Sequence, residues 1–301
     1  MTRKYRLYQV DSFTTDKFCG NPAGVITNAD GLTEAEMKKI ARELNNSETA
    51  FVFSPNDLTH DVQVRFFTPT TEVPICGHAT IAAHYARAVE QQLDTIRVMQ
   101  KTGAGILPVD IIREENDYQV LMRQGEIEYG MVIEGENKDF LLSALEITEE
   151  DLLAGCPIQV VSTGHSKMMI GIKSRLLLNQ LKPNFDAFTQ LSKRISCNGY
   201  YVFTMDSEEE DILIKGRMFA PAIGVYEDPV TGNANGPLGA YLIHHKLVKH
   251  NGTSFRFQAK QGEAMGRTGK LEVEVKLKNG EPAEISVLGK AVIAFQSELI
   301  L

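Results

Sequence analysis

Apolar and polar positions alternate from the start of the chain, predicting a strand over Lys4 to Phe13 and then a helix opened by Thr33-Glu34-Ala35-Glu36. Met37, Ile40, Ala41 and Leu44 follow this capping box at helical spacing, and the helix is expected to end near Leu44. Ala50 to Phe53 and Val62 to Phe67 read as strands; in the second, Val62, Val64 and Phe66 share one face and Gln63 and Arg65 the other. Thr80-Ile81-Ala82-Ala83-His84-Tyr85-Ala86 is helical by propensity and apolar or small almost all round. Such a helix must be enclosed, as a curved sheet wrapped around it would do.

The same order returns in the second half. A helix is expected across Phe185 to Ile195, strands at Tyr200 to Met205 and Ile212 to Phe219, and a helix through Leu238 to Ile243, with Pro237 placed near its start. Glu134 to Asp151 is polar and acid-rich, with a helix start at Thr148-Glu149-Glu150-Asp151. The last strands are expected at Leu271 to Leu277 and Ala291 to Leu301, and periodicity does not say where the final one pairs.

The recurrence extends to the residues themselves. Glu72-Val73-Pro74-Ile75-Cys76-Gly77-His78-Ala79 and Glu227-Asp228-Pro229-Val230-Thr231-Gly232-Asn233-Ala234 share Glu, Pro, Gly and Ala in register. Arg65-Phe66-Phe67-Thr68-Pro69 is answered by Arg217-Met218-Phe219-Ala220-Pro221, Phe51-Val52-Phe53 by Tyr201-Val202-Phe203, and Gln9-Val10-Asp11-Ser12 by Gln159-Val160-Val161-Ser162. Units of nearly half a chain are too long for a solenoid and imply two similar domains with a boundary near residue 130. Shared positions hold backbone. Those that differ, Cys76/Thr231, His78/Asn233 and Val73/Asp228, can be specialised, which points to one site built asymmetrically from two halves.

Both octapeptides precede a buried helix, where free amides and the positive end of the helix dipole favour an anion. Two such ends facing each other across a cleft would grip a carboxylate. With Phe-Val-Phe laid on Tyr-Val-Phe, Glu48 falls opposite Asn198, so that this ionisable group exists in one copy alone.

Composition narrows the class. The 301 residues, 43% apolar, suffice for two ordinary cores. A net charge of -8 without a basic block argues against a nucleic-acid partner, and no apolar run approaches membrane-spanning length, so a cytoplasmic protein is expected. Cys19, Cys76, Cys156 and Cys197 lie far apart without a CxxC pair, which suggests reduced thiols and no metal site. Asn45-Asn46-Ser47 and Asn251-Gly252-Thr253 are read as chance triplets.

Five ordered motifs, Gly20-Asn21-Pro22-Ala23-Gly24-Val25, Ser47-Glu48-Thr49-Ala50-Phe51-Val52, Arg65-Phe66-Phe67-Thr68-Pro69, Cys76-Gly77-His78-Ala79-Thr80 and Glu227-Asp228-Pro229-Val230-Thr231-Gly232, resemble those of the phenazine-biosynthesis PhzF-like family. The resemblance implies an α+β, diaminopimelate epimerase-like fold: two pseudo-symmetric domains, each a rolled, mostly antiparallel sheet around a central helix. The domains would be 1-129, joined by a returning strand 289-301, and 130-288. It also implies a cofactor-free isomerase, usually a homodimer, acting on a small-molecule carboxylate. In the family's phenazine enzyme a glutamate of the Ser-Glu-Thr motif moves a proton between carbons of a cyclic dihydro-hydroxyanthranilate; here that residue is Glu48. Such chemistry needs a carboxyl group that can accept a proton and return it. His78 and Asp228 carry over as its catalytic partners, the first bonding substrate or Glu48, the second accepting from a substrate hydroxyl or amino group. Gly77, Cys76, Gly232 and Asn233 carry over as the substrate-binding set. The phenazine enzyme has serine where this chain has Asn233, so phenazine precursors are not the favoured substrate.

Two other readings stand beside this one. Cys-Gly-His also resembles half of the paired-cysteine site of proline and diaminopimelate racemases, but the second copy offers Thr231, whose hydroxyl is too weak an acid and base to replace a thiolate. Cys76 is then a small residue buried at the helix start. The fold could alternatively serve a non-catalytic ligand-binding protein.

Overall fold

A computed structural model describes residues 2–301 and divides the chain into two compact units, Met1–Arg123 with Leu288–Leu301, and Gln124–Val287. The first unit contains β1 (Lys4–Ser12), β2 (Asn21–Ile26), α1 (Glu34–Leu44), β3 (Glu48–Phe53), β4 (Val62–Phe67), β5 (Glu72–Val73), α2 (Gly77–Gln91), β6 (Ile96–Thr102), β7 (Gly105–Arg113) and β8 (Tyr118–Arg123). The chain continues through β9 (Glu128–Val132), α3 (Gly135–Leu145), β10 (Gln159–Ser162), β11 (Lys167–Gly171), α4 (Arg175–Gln180), α5 (Phe185–Ile195), β12 (Tyr200–Thr204), β13 (Ile214–Ala220) and β14 (Val225–Asp228). It closes with α6 (Gly232–His244), β15 (Ser254–Gln261), β16 (Gly269–Lys278), β17 (Glu281–Gly289) and β18 (Ala291–Ile300).

Strand pairing repeats between the units. In the first, β1 runs antiparallel to β2, β2 parallel to β3, β3 antiparallel to β4, and β4 antiparallel to β5 and parallel to β6. In the second, β10–β11, β11–β12, β12–β13, β13–β14 and β13–β15 take the same senses in the same order. The edge strands follow suit: β18 pairs antiparallel with β1 along Lys4–Ser12, and β9 pairs antiparallel with β10. The partner of the final strand, which alternation left open, is therefore the first.

Burial explains the layers. The helix α2 is buried at every position from Gly77 to Ala88, and α6 at nearly every one from Gly232 to Ile243, as central helices with no solvent face must be. On the opposite face of the first sheet, Met37, Ile40 and Ala41 of α1 pack with Ile26, Phe51 and Phe67. In the second unit Leu141 and Leu145 of α3 and Phe188, Leu191 and Ile195 of α5 pack with Tyr200, Val202 and Phe219.

Three expectations need correction. Thr148 does form a capping box with Asp151, but only the three-residue turn Glu149–Asp151 follows, because Gly155 and Pro157 come within two turns of the cap and leave no room for a longer helix. Pro237 lies in the second turn of α6, not at its start, and forgoes the amide bond it would make to the carbonyl four residues back. The strand alignment slips by one. Phe51 opposes Arg65 while Val202 opposes Arg217, so in register Glu48 corresponds to Gly199 and not to Asn198.

The shared Arg and Glu of the two motifs form one ion pair in each unit. Arg65 donates from Nε and Nη2 to Glu72 at 2.7 and 2.6 Å, and Arg217 does the same to Glu227 at 2.8 and 2.8 Å. Their retention is explained by backbone support for β5 and β14, the strands that lead into the central helices.

Candidate active site

In the first unit Glu48 begins β3 directly after the left-handed C-cap of α1 at Asn45 (φ 52). The intervening turn is locked by a two-way amide pair, Gln9 Nε2 to Asn46 Oδ1 at 3.1 Å and Asn46 Nδ2 to Gln9 Oε1 at 2.9 Å. His78 is the second residue of α2, and its carbonyl accepts from Ser12 Oγ at 2.8 Å. Thr80 fastens the same turn by donating from Oγ1 to the Cys76 carbonyl at 2.7 Å.

These supports bring Glu48, His78 and Cys76 together. His78 Nε2 lies 3.5 Å from Glu48 Oε2 and 3.4 Å from Ser47 Oγ, and Nδ1 lies 3.4 Å from the Cys76 thiol. If the thiol donates to Nδ1, the imidazole carries its proton on Nε2, the nitrogen that faces the carboxylate. The Glu48 side chain is 19% exposed against 8% for His78, so the carboxylate is the reachable member. One ligand atom from each of the three falls within 4.8 Å of the others. As a metal site the trio is poorly built, because thiol and carboxylate address opposite nitrogens of one imidazole and a metal would use only one. Cys76 caps no amide through its side chain, and the Gly77 and His78 amides have no acceptor among the described residues. An anion-ready helix start therefore adjoins the carboxylate.

In the second unit Asp228 ends β14 and its carboxylate accepts from Thr231 Oγ1, the hydroxyl standing in the place of the Cys76 thiol. Gln261 braces the turn, donating from Nε2 to the Asp228 carbonyl at 2.7 Å and to Thr231 Oγ1 at 3.1 Å, while its Oε1 accepts from the Thr231 amide at 3.1 Å. Asn235 adds bonds to the Thr231 carbonyl at 3.0 Å and Gln261 Oε1 at 3.2 Å, and is itself held by Tyr201 Oη at 2.6 Å. Burial pushes the Tyr201 hydroxyl far above the usual phenol range, so it stays a donor. The Gly232 and Asn233 amides, like their counterparts, meet no acceptor among the described residues. Thr231, engaged with a carboxylate, is not a second acid–base thiol, which removes the chemical basis for the two-cysteine reading.

Sequence reasoning missed Ser47, Ser12, Gln261 and Asn235. Ser47 carried a signal in the Ser-Glu-Thr motif but was set aside as part of a chance Asn-Asn-Ser triplet. Gln261 lies 30 residues from Thr231 and has no local signature.

The family model described as phenazine biosynthesis-like protein matches residues 10–297. An uncharacterized isomerase of Clostridium acetobutylicum is 67% identical over 100% of both chains. A trans-2,3-dihydro-3-hydroxyanthranilate isomerase of Pseudomonas chlororaphis is 28% identical over 97% of this chain and 98% of its own. The crystal structure of a Bacillus anthracis phenazine biosynthesis protein of the PhzF family superposes with a TM-score of 0.89 at 30% identity, covering 99% of this chain and 100% of that one. Two topologically repeated sheets, each with a central helix, accompany these full-length matches: the chain belongs to the phenazine biosynthesis-like (PhzF) family and is an isomerase.

Proposed function

We propose that this isomerase works without a cofactor, moving a proton between carbons of a small unsaturated or amino-substituted carboxylic acid, with Glu48 as the group that takes and returns it. The observation that carries this reading is the Glu48–His78 contact at the start of α2, beside two free amides. Nε2 faces the carboxylate, whose ionised form is the one that can accept a proton from carbon. A separation of 3.5 Å is the loose resting geometry expected of a catalytic bond that tightens around substrate.

The step balances within one molecule. A C–H bond breaks toward Glu48, its electron pair shifts into the adjoining unsaturation, and the carboxyl group delivers the proton to a different carbon. No electrons are gained or lost overall. Amides of Gly77 and His78 suit an anionic group of the substrate, with Cys76 behind the imidazole. Asp228, with the Gly232 and Asn233 amides, is assigned to the substrate's hydroxyl or amino group and carboxylate.

The test is incubation of a metabolite extract in deuterated water with wild type and with Glu48→Gln, followed by mass spectrometry. Deuterated or isomerised species that appear with wild type alone support the proton shuttle. Equal activity of Glu48→Gln would sink it. Trans-2,3-dihydro-3-hydroxyanthranilate is a defined substrate to run alongside, since a relative is named for it.

A further inference from the structure

Lys167, the first residue of β11, plays no part in the chemistry above. Parallel pairing sets Met168 opposite Tyr200, which places Lys167 beside Gly199, the position corresponding to Glu48. A Cβ added at Gly199 would come within 2.3 Å of Lys167 Cδ and 2.8 Å of Cε. The lysine stem thus fills the space that a side chain at the Glu48 counterpart would occupy. Where the first unit places a carboxylate at the start of its third strand, the second places an ammonium delivered from the neighbouring strand.

The surroundings suit a ligand-facing cation. Gly199 lies two residues before Tyr201, whose hydroxyl bonds Asn235 of α6, so Lys167 lies on the sheet face that carries the central helix. Among the described residues the only hydrogen bond of its ammonium runs to the Ser166 carbonyl at 3.3 Å, leaving two of three donors unspent. Among the described residues no carboxylate forms an ion pair with it, and the Cys197 thiol and Asp228 are the groups that act on its charge. Desolvation lowers its pKa, with Cys197 and Asp228 opposing, and the same ammonium helps burial to lower the pKa of His165. The residue is half-buried, deep enough to be desolvated and open enough to be reached.

We propose that Lys167 is a substrate-binding residue whose ammonium ion-pairs with the carboxylate of the substrate, next to Asp228, which takes the substrate's hydroxyl or amino hydrogen. The assignment rests on the reading of the substrate as a carboxylic acid and narrows it to one bearing a hydrogen-bond donor near the carboxylate, since cation and acceptor belong to one cluster. An ion pair formed away from bulk water is stronger than one at the surface, so the carboxylate should dominate binding.

Calorimetric titration decides it. The probes are anthranilate, 3-hydroxyanthranilate and crotonate, each acid set against its primary amide. Wild type should bind at least one acid more tightly than its amide. Lys167→Met should weaken that acid about tenfold or more while leaving the amide unchanged, and Lys167→Arg should restore part of the loss. Gly199→Ser, which pushes the lysine stem aside, should reproduce the loss with Lys167 intact. Unaltered thermal midpoints confirm that these variants fold. Equal acid binding by wild type and Lys167→Met, or no preference for any acid over its amide, would overturn the assignment. Glu48→Gln should keep the binding and lose deuterium exchange, so failure of the proton shuttle and failure of the lysine contact register in different measurements.

Discussion

Removing Glu227 should cost far more stability than removing Glu72, although the two occupy the same place in the repeat. The Arg217 and Glu227 side chains are 8% and 15% exposed, and the guanidinium also donates to the Leu178 and Leu181 carbonyls at 2.9 Å each. Glu227→Ala strands a buried cation, a loss worth about 3–5 kcal/mol, and the two surviving carbonyl bonds place it at the lower end, about 3 kcal/mol. Arg65 and Glu72 are 25% and 36% exposed, and Arg65 keeps Glu34 at 3.1 Å when Glu72 is gone. Glu72→Ala should therefore cost about 1 kcal/mol or less. The difference of about 2 kcal/mol is roughly a thirtyfold change in the unfolding equilibrium, readily seen in urea titrations followed by circular dichroism. The double replacement Arg217→Met with Glu227→Leu should recover much of the loss, because a buried pair exchanged for apolar groups is nearly neutral. Equal midpoint shifts for Glu72→Ala and Glu227→Ala would refute the argument from burial.

Three further outcomes are expected. His84 is fully buried in α2, accepts from Arg87 Nη1 at 3.1 Å and donates to Gln100 at 2.7 Å, and burial, aided by Arg87, lowers its pKa to about 3. The unfolded chain takes up this proton below about pH 6.5 while the folded one refuses it, so stability falls as pH drops from there toward 3; His84→Gln should remove about 2 kcal/mol of the loss between pH 6.5 and 5, measured by urea titration at each pH. Gly20 holds φ +59 with its missing Cβ 2.2 Å from the Ser12 carbonyl, so Gly20→Ala should destabilise by roughly 2 kcal/mol or more in the same assay, and a neutral result would mean the loop after β1 can shift freely. Cys76→Ser, which keeps a donor for His78 Nδ1, should retain more turnover than Cys76→Ala, and the reverse order would remove the thiol from the tautomer argument.

Much of this was legible because local and long-range signals agreed. The capping box at Thr33 was followed by Met37, Ile40 and Ala41 on one face, and all three are buried in α1. The same signature at Thr148 ran into Gly155 and Pro157 and yielded one turn, while α3 went unseen because its first half is rich in Glu, Asn, Lys and Asp and its buried residues crowd into Leu141 to Leu145. Glu48, His78 and Cys76 were readable from motif and duplication. Lys167 was not: it enters its place from a neighbouring strand, and alignment of two apolar triplets hid the register that puts Gly199 opposite Glu48. A period-two pattern cannot reveal a slip of one when every residue of the strand is buried, as in Tyr200 to Thr204.

The exchange of edge strands has a consequence for synthesis. The first unit receives β18 from residues 291–300, which leave the ribosome only after the whole second unit has been made. Until then β1 offers a bare edge along Lys4 to Ser12, with Val10 and Tyr8 among the residues that end up covered. The nascent chain must therefore shelter an open strand for longer than its own length would require, and any alteration to the last dozen residues will be felt first in the fold of the earliest ones.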